Sequence, residues 1–298
     1  MSTVTDAVAY ASNRSWRRSR LRRGFGRFAR GPLSIIGLIW IIVLVVVALF
    51  APQLAPYPVA GDILVVNEAP SLAHWFGTNN VGQDMLTLCM YGVRYTLTIA
   101  AGATILSFCI GVFVGMMAGL QGGWLDQVLM RFTDFMYSFP SFVLAITVIE
   151  FTGQGIVSVI VMLGLTQWAG FARLSRGMTL TLRNSELVES GRAIGASRAF
   201  VIRHYVFPHV WSSISVYTAF FLVNIITQDG MLGLFYNVGP QPPNISFGSL
   251  LLLNTPDVLG FPWLLTMPVL VFVSILVSLI VVGEGLQTML SPKGSVNL

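Results

Sequence analysis

The sequence predicts an all-α integral membrane protein with six transmembrane helices, and three observations support this. Apolar residues make up 55% of the 298 residues and charged residues only 10%, and the mean hydropathy is +0.76, whereas soluble proteins carry about 25% charged residues. Apolar runs suited to a hydrocarbon core of ~30 Å recur along the chain. The basic residues between these runs fall almost entirely on one side of a membrane.

Six apolar runs are candidate spans, and the third and fifth are the shortest because polar residues (Glu150, Asn224 and Gln228) lie at or inside their outer ends. The predicted spans are 33–51, 96–119, 135–150, 155–172, 214–227 and 261–283.

Charge placement predicts the orientation, because Lys and Arg favour cytoplasmic loops. Eight arginines of the 17 basic residues precede the first run, so both termini are predicted to be cytoplasmic. Six spans then leave only Arg94 outside. The predicted organisation is an Arg-rich cytoplasmic segment (1–32), a first span (33–51), an extracytoplasmic segment (52–94), a five-helix core (95–283) with a long loop at 173–208, and a cytoplasmic tail (284–298).

The Arg-rich N-terminus also resembles a twin-arginine export signal or a nucleic-acid-binding segment. The run that follows has no small-residue cleavage site, and topology with attraction to anionic lipids accounts for the pI near 9.6. We therefore expect a membrane anchor and no nucleic-acid partner.

The residue inventory excludes the common catalytic sites. The only lysine, Lys293, follows no Gly-rich phosphate-binding motif, and the three histidines lack zinc-site spacing. Cys89, placed outside, and Cys109, within a span, are expected to be free thiols. We expect no catalytic residue, metal or cofactor in this chain, and we interpret Asp134 and Asp229 as water-facing structural carboxylates at helix ends.

The loop at 173–208 is too long for a simple helix connection. Its pattern around Glu189 predicts an amphipathic helix of about three turns that ends at Gly195, followed by a second helix capped by Ser197 and stopped by Pro208. Such an elbow fits either a docking element or a helix pair on the lipid surface, and composition leaves both open.

The elbow residues resemble the EAA motif of permease subunits in bacterial ATP-binding-cassette (ABC) importers, in which two short helices dock on the ATPase. Ser190, Gly191, Tyr205 and Phe207 depart from the preferred residues of that motif. The resemblance implies a coupling role for the following residues: Glu189, Arg192, Ala193, Gly195, Ala196, Ser197, Phe207 and Pro208.

A second stretch, "PSLAHWFGTNNVGQDMLTLCMYGVRYTL", resembles the segment before the second span of dipeptide, oligopeptide and nickel permeases. It contains no Lys or Arg before Arg94 and is expected to cap the pathway outside, with a turn at 78–84. "GGWLDQVLMRFTDFMYSFPS" and "WAGFARLSRGMTL" also look like their family counterparts, and the C-type permease of each pair is the closer match. The matching outer residues are Phe76, Gly77, Thr78, Gly82, Asp84, Gly92 and Arg94.

The resemblance implies a permease subunit of the bacterial plasma membrane that forms half of a pathway. Its implied partners are a homologous second permease, one or two ABC ATPases that carry ATP and Mg, an extracytoplasmic binding protein and membrane lipids. The downstream stretch "MLGLFYNVGPQPPNISFG" matches the family less well, so it gives the weakest indication of the substrate. Di- or oligopeptides are the expected substrates, with nickel or heme as the alternative, whereas an ion channel or secondary transporter would not need the elbow.

Overall fold

The computed structural model describes residue 28 and residues 31–193, 195–240 and 244–290. The arginines before residue 28, Lys293, and the two prolines at 242 and 243 lie outside these residues. The helices are α1 (Pro32–Leu54), α2 (Met85–Gln121), α3 (Gly123–Ser138), α4 (Ser141–Thr152), α5 (Ile156–Gln167), α6 (Ala169–Arg183), α7 (Glu186–Ala193), α8 (Arg198–Val201), α9 (Phe207–Tyr236), α10 (Phe247–Asn254) and α11 (Trp263–Leu290).

The expected fold class is confirmed, since the described residues contain helices and one isolated β-bridge but no strand. Five helices are long and apolar enough to cross a membrane: α1, α2, α5 with α6, α8 through α9, and α11. A sixth span is formed only if α3 and α4 are taken together.

The third predicted span, 135–150, is wrong as a straight helix. It is divided between α3 and α4, whose axes meet at 88°. The break lies at Phe139, which is extended (φ −78°, ψ 135°), because the residue before a proline avoids helical geometry. Pro140 therefore turns an apolar run into a bent pair.

Several helices extend beyond the predicted limits. α2 begins at Met85, so Cys89 lies buried in a helix. α11 continues to Leu290, so the first residues of the expected tail are helical.

Asp229 was expected at a helix end facing water, and this is wrong. It lies inside α9, which continues to Tyr236, and only 1% of the residue is exposed. Its carboxylate lies 3.4 Å from the Thr96 hydroxyl. The position is covered because α9 and α10 cross at Gly233 and Gly248, where an added Cβ would collide with backbone atoms.

The centre of the fold is the contact between α2 and α6. Three glycines spaced four residues apart, Gly111, Gly115 and Gly119, form the contact face of α2. A Cβ on Gly115 would overlap the Ala172 carbonyl oxygen and the Ser175 hydroxyl. Small residues at this spacing allow two membrane helices to approach closely, and the closeness supplies the van der Waals contact that holds them.

α1 packs at the edge of this core against α11. Gly37 lies close to the Ser278 carbonyl oxygen, and Trp40 donates a 3.0 Å hydrogen bond to Ser274. Most other large side chains of α1 are exposed, as expected for a helix that faces lipid.

We expect Gly115→Ala to destabilise the isolated chain, because a methyl group there must push α2 away from α6 and overpacking costs about 1–3 kcal/mol. The matched control is Gly177→Ala on α6, where nothing lies within 4 Å of an added Cβ and helix propensity improves by up to about 1 kcal/mol. Thermal unfolding in detergent measures both. A Gly115→Ala protein as stable as the Gly177→Ala protein would contradict this packing.

Candidate functional site

The first limb of the elbow is α7, which has eight residues and makes about two turns, not the predicted three. It begins only at Glu186. At its other end, Gly195 adopts a left-handed backbone (φ 80°) and the Ala196 N–H donates to the Gly191 carbonyl, which closes the helix. Ile194 and the side chain of Arg192 lie outside the described residues. The end at Gly195 is confirmed.

The second limb begins as predicted but does not stop. The Ser197 hydroxyl accepts a hydrogen bond from the Phe200 N–H and caps α8. Beyond Val201 the chain forms one π-helical turn and then enters α9, so Pro208 lies inside a continuous 39-residue helix.

The π-helical turn explains how Pro208 is tolerated. Proline lacks an N–H and clashes with the carbonyl four residues earlier in a regular helix. Just before it, the Phe207 N–H donates to the Ile202 carbonyl, five residues back, which widens the helix at that point. The second limb is therefore the first part of the fifth span.

The two limbs pack against each other as one unit. Val188 of α7 and Val201 and Val206 of the second limb are buried. Gly191 lies so close to the Tyr205 ring that an added Cβ would be 2.7 Å from Cε2. Gly191 and Tyr205, which both differ from the preferred residues of the EAA motif, thus contact each other, and the small residue leaves space for the ring.

The outer face of the elbow is uncovered. Glu189, Ala193, Gly195, Ser197 and Pro208 are exposed, while Ala196 and Phe207 are half-buried. None of the described side chains forms an ion pair with Glu189. Apart from Arg192, the sequence-predicted residues of the elbow are thus brought together on a surface where the Glu189 carboxylate has no ion-pair partner among the described side chains.

The outer segment closes on itself at the predicted turn. Thr78 and Asp84 form a β-bridge, and Asp84 caps α2 by accepting a 2.8 Å hydrogen bond from the Thr87 N–H. His74 Nδ1 lies 2.9 Å from the second Asp84 oxygen. Asp84 therefore joins the loop to the start of the second span.

Two glycines make this turn possible. Gly77 and Gly82 have positive φ angles of 75° and 72°, a region that glycine enters without strain. An added Cβ on Gly77 would lie 2.7 Å from the Trp263 ring, and one on Gly82 would overlap the backbone of Asp62. Each glycine is needed for its backbone angle and for space.

The turn is fixed to the start of α11. Trp263 Nε1 donates to the Thr78 carbonyl at 3.5 Å, and Asn80 Nδ2 donates to Asp257 at 2.7 Å. Phe76 packs, half-buried, against the core. Gly92 and Arg94 are not part of this turn, since they lie two and more helical turns into α2, where Gly92 contacts Phe247.

Sequence reasoning missed the ion pairs between α3 and α6. Arg176 donates to both oxygens of Asp126 at 2.6 and 2.7 Å, and Arg173 donates to Asp134 at 2.8 Å while its guanidinium lies 4.2 Å from the centre of the Tyr137 ring. The bidentate pair is geometrically specific and holds the bent pair against α6. The signal was the presence of two Asp in one of the quoted family-like stretches (122–141) and two Arg in another (168–180).

A chain of three amide side chains was also missed. Gln167 Nε2 donates to Gln228 Oε1 at 3.2 Å, and Gln228 Nε2 donates to Asn224 Oδ1 at 3.1 Å. Two of the three residues were noted in the sequence only as polar breaks in an apolar run. No group of three His, Cys, Asp or Glu side chains suited to a metal occurs in the described part of the chain.

Comparison with protein families places these features in context. Residues 111–295 match the family of binding-protein-dependent transport system inner membrane components, and residues 19–70 match the N-terminal transmembrane domain of oligopeptide transport permease C.

Individual relatives agree with these family matches. The chain is 34% identical over 269 residues to the glutathione transport system permease protein GsiD of Shigella dysenteriae serotype 1, covering 90% of this chain and 88% of that one. It is 33% identical to GsiD of Escherichia coli O157:H7 over the same shares. Its fold is similar to a chain of the inward-facing MetNI methionine ABC transporter, with a TM-score of 0.54 and 18% identity over 70% of this chain and 98% of that chain.

We expect Gly195→Val to loosen the elbow, because a β-branched residue with a positive φ is strained by about 1–3 kcal/mol. The matched control is Gly155→Val: both glycines have nothing within 4 Å of an added Cβ, but Gly155 is extended (φ 176°), which any residue adopts. The rate of trypsin cleavage within 184–208 in detergent measures the loosening. Equal rates for wild type and Gly195→Val would contradict the role of this glycine.

Proposed function

The chain belongs to the family of binding-protein-dependent inner membrane transport components, and from this premise we propose how its elbow and spans serve import. It is a multi-pass inner membrane protein and a permease subunit of an ABC importer of the peptide family. We propose that it forms half of the translocation pathway, that a homologous permease supplies the other half, and that residues 189–208 dock on a partner ATPase.

The observation that carries this proposal is the continuity of the second limb with the fifth span. A protrusion shifts a two-state equilibrium only if it binds its partner differently in the two states. Because Arg198–Tyr236 is a single helix, any tilt imposed at Ser197 reaches the span without passing through a loop. The exposed Glu189, which has no ion-pair partner among the described side chains, supplies a contact for a basic or N–H donor of the ATPase.

The remaining partners follow from the same premise. ATP and Mg would bind one or two ATPase chains, and no catalytic role is assigned to this subunit. An extracytoplasmic binding protein would deliver cargo to the side on which residues 52–84 form the closed turn. The family match and the similarity to GsiD support these partners.

We propose peptides as the cargo. The relatives at 33–34% identity are named for glutathione transport, and glutathione is a tripeptide. An extended peptide is held largely by backbone hydrogen bonds, so its pathway needs uncharged donors and acceptors rather than a cluster of charges.

We expect Glu189→Lys to abolish coupling while insertion and expression remain normal, because the residue is exposed and outside the apolar spans. Loss of one partner of a buried interface charge pair costs about 2–5 kcal/mol, which is about 30-fold or more in docking affinity. The measurement is substrate-stimulated ATP hydrolysis by the complex reconstituted with both permeases, the ATPases and the binding protein.

The matched control is Glu186→Lys, which makes the same charge change at an exposed residue one turn earlier on α7. Undiminished stimulation in Glu189→Lys would refute the docking role and favour a helix pair on the lipid surface, where added positive charge strengthens attraction to anionic headgroups. An equal loss in both variants would refute the specific assignment to Glu189.

The proposed orientation places residues 52–84 outside. Cys89 does not serve as a probe because it is buried, and Leu72, at 98% exposed, is the better position. In a Cys109→Ser background, we expect Leu72→Cys to react with a membrane-impermeant maleimide on intact cells, whereas Ala199→Cys in the elbow should react only after permeabilisation. The reverse pattern would overturn the orientation.

A further inference from the structure

The chain of amides formed by Gln167, Gln228 and Asn224 lies at membrane depth. Asn224 is 17 residues from the start of α9 and 12 from its end, or about 26 and 18 Å at 1.5 Å per residue. Gln167 is 11 residues from the start of the span 156–183 and 16 from its end, about 17 and 24 Å. Gln228 is 8 residues from the end of α9, or about 12 Å, so all three side chains lie at least about 12 Å inside their spans.

These amides are not covered by the subunit itself. Asn224 is exposed, and Gln167 and Gln228 are half-buried. On α9, Asn224, Gln228, Met231 and Phe235 lie within roughly 60° of one another at 3.6 residues per turn, and the last two are 54% and 69% exposed. The uncovered face of the fifth span thus combines amides with large apolar side chains.

Lipid is a poor neighbour for this face. Hydrocarbon offers no hydrogen-bond partner, and polar side chains inside a membrane almost always face the bundle interior or a water-filled cavity. The adjacent Asp229 is buried in the opposite direction, toward Thr96. The amide face therefore points toward water or a partner, and it carries no charge of its own.

Among the described residues, one acceptor group and one donor group of the three amides make no hydrogen bond. With two hydrogen bonds made along the chain, the Gln167 carbonyl oxygen remains as an acceptor at one end and the Asn224 NH₂ remains as a donor at the other. Reversing all three amides exchanges the ends but still leaves one donor and one acceptor. A peptide group carries the complementary pair, one N–H and one C=O.

We propose that Gln167, Gln228 and Asn224 form a site in the translocation pathway that binds backbone amide groups of peptide cargo. The site rests on the proposed function and adds the chemistry by which the pathway accepts its substrate. Uncharged amides bind any peptide group irrespective of the side chains, and a single weak site allows the cargo to leave again. Met231 and Phe235 supply apolar contact beside it.

Water access tests the location of the site. In a Cys109→Ser background, we expect Met231→Cys, which lies on the same face of α9 (54% exposed) and leaves the three amides intact, to react with a water-soluble maleimide in the reconstituted complex and to be protected by millimolar tri-alanine. Val277→Cys, on an exposed apolar face of α11 (51%), is the matched control and should not react. Equal failure of both positions to react would overturn the proposal, as would labelling of Met231→Cys that tri-alanine does not slow.

Transport tests the chemistry. We expect Gln228→Leu, which removes the central donor and acceptor, to lower tri-alanine uptake at least tenfold while the complex still assembles. Gln127→Leu, at an exposed amide on α3, should take up tri-alanine like wild type. Normal uptake by Gln228→Leu would overturn the site and leave the peptide importer in place. A wild-type complex that transports no peptide would remove both proposals.

Discussion

The backbone contact between α2 and α6 is the constraint on which the rest of this structure depends. Gly111, Gly115 and Gly119 allow the two helices to touch along three turns, and hydrocarbon provides no hydrophobic force that would hold a looser pair together. α6 ends directly before α7, so this contact fixes one end of the elbow. The Asp126–Arg176 pair fixes the bent pair to the same helix.

The other end of the elbow is fixed by a single helix. From Arg198 to Tyr236 there is no loop, and the wider turn at Ile202–Val206 accommodates Pro208 without breaking the rod. The second limb of the elbow, the buried Asp229 and the amides at Asn224 and Gln228 therefore lie on one element. A movement at the Arg198 end of this helix changes the position of its membrane-depth residues, which is the geometry that the proposed docking role requires.

The outer turn has the corresponding role at the opposite face. Asp84 caps α2, and Trp263 at the start of α11 donates to the backbone of Thr78. The turn is held by side-chain caps and two left-handed glycines rather than by a sheet. It thereby links the start of α2 to the start of α11.

The sequence by itself determined the features that depend on local chemistry. Apolar run length identified five of the membrane spans, and the glycine at 195, the cap at Ser197 and the turn at 78–84 were predictable because each depends on backbone angles or on hydrogen bonds within a few residues. The elbow was found by its spacing. The glycine repeat on α2 was equally visible in the sequence, although its partner helix was not.

Only the tertiary structure decided the features that depend on packing between distant segments. Pro140 breaks its helix whereas Pro208 does not, although both prolines disfavour helical geometry in the preceding residue to the same degree. The π-helical turn before Pro208 accommodates this proline within the helix. Asp229 is buried because α10 crosses α9 beside it. The stretch that leads into α10 matches the family less well than the stretches before it. Gln167 meets Gln228 from another span, and sequence periodicity alone does not specify which helices are neighbours or which faces they cover.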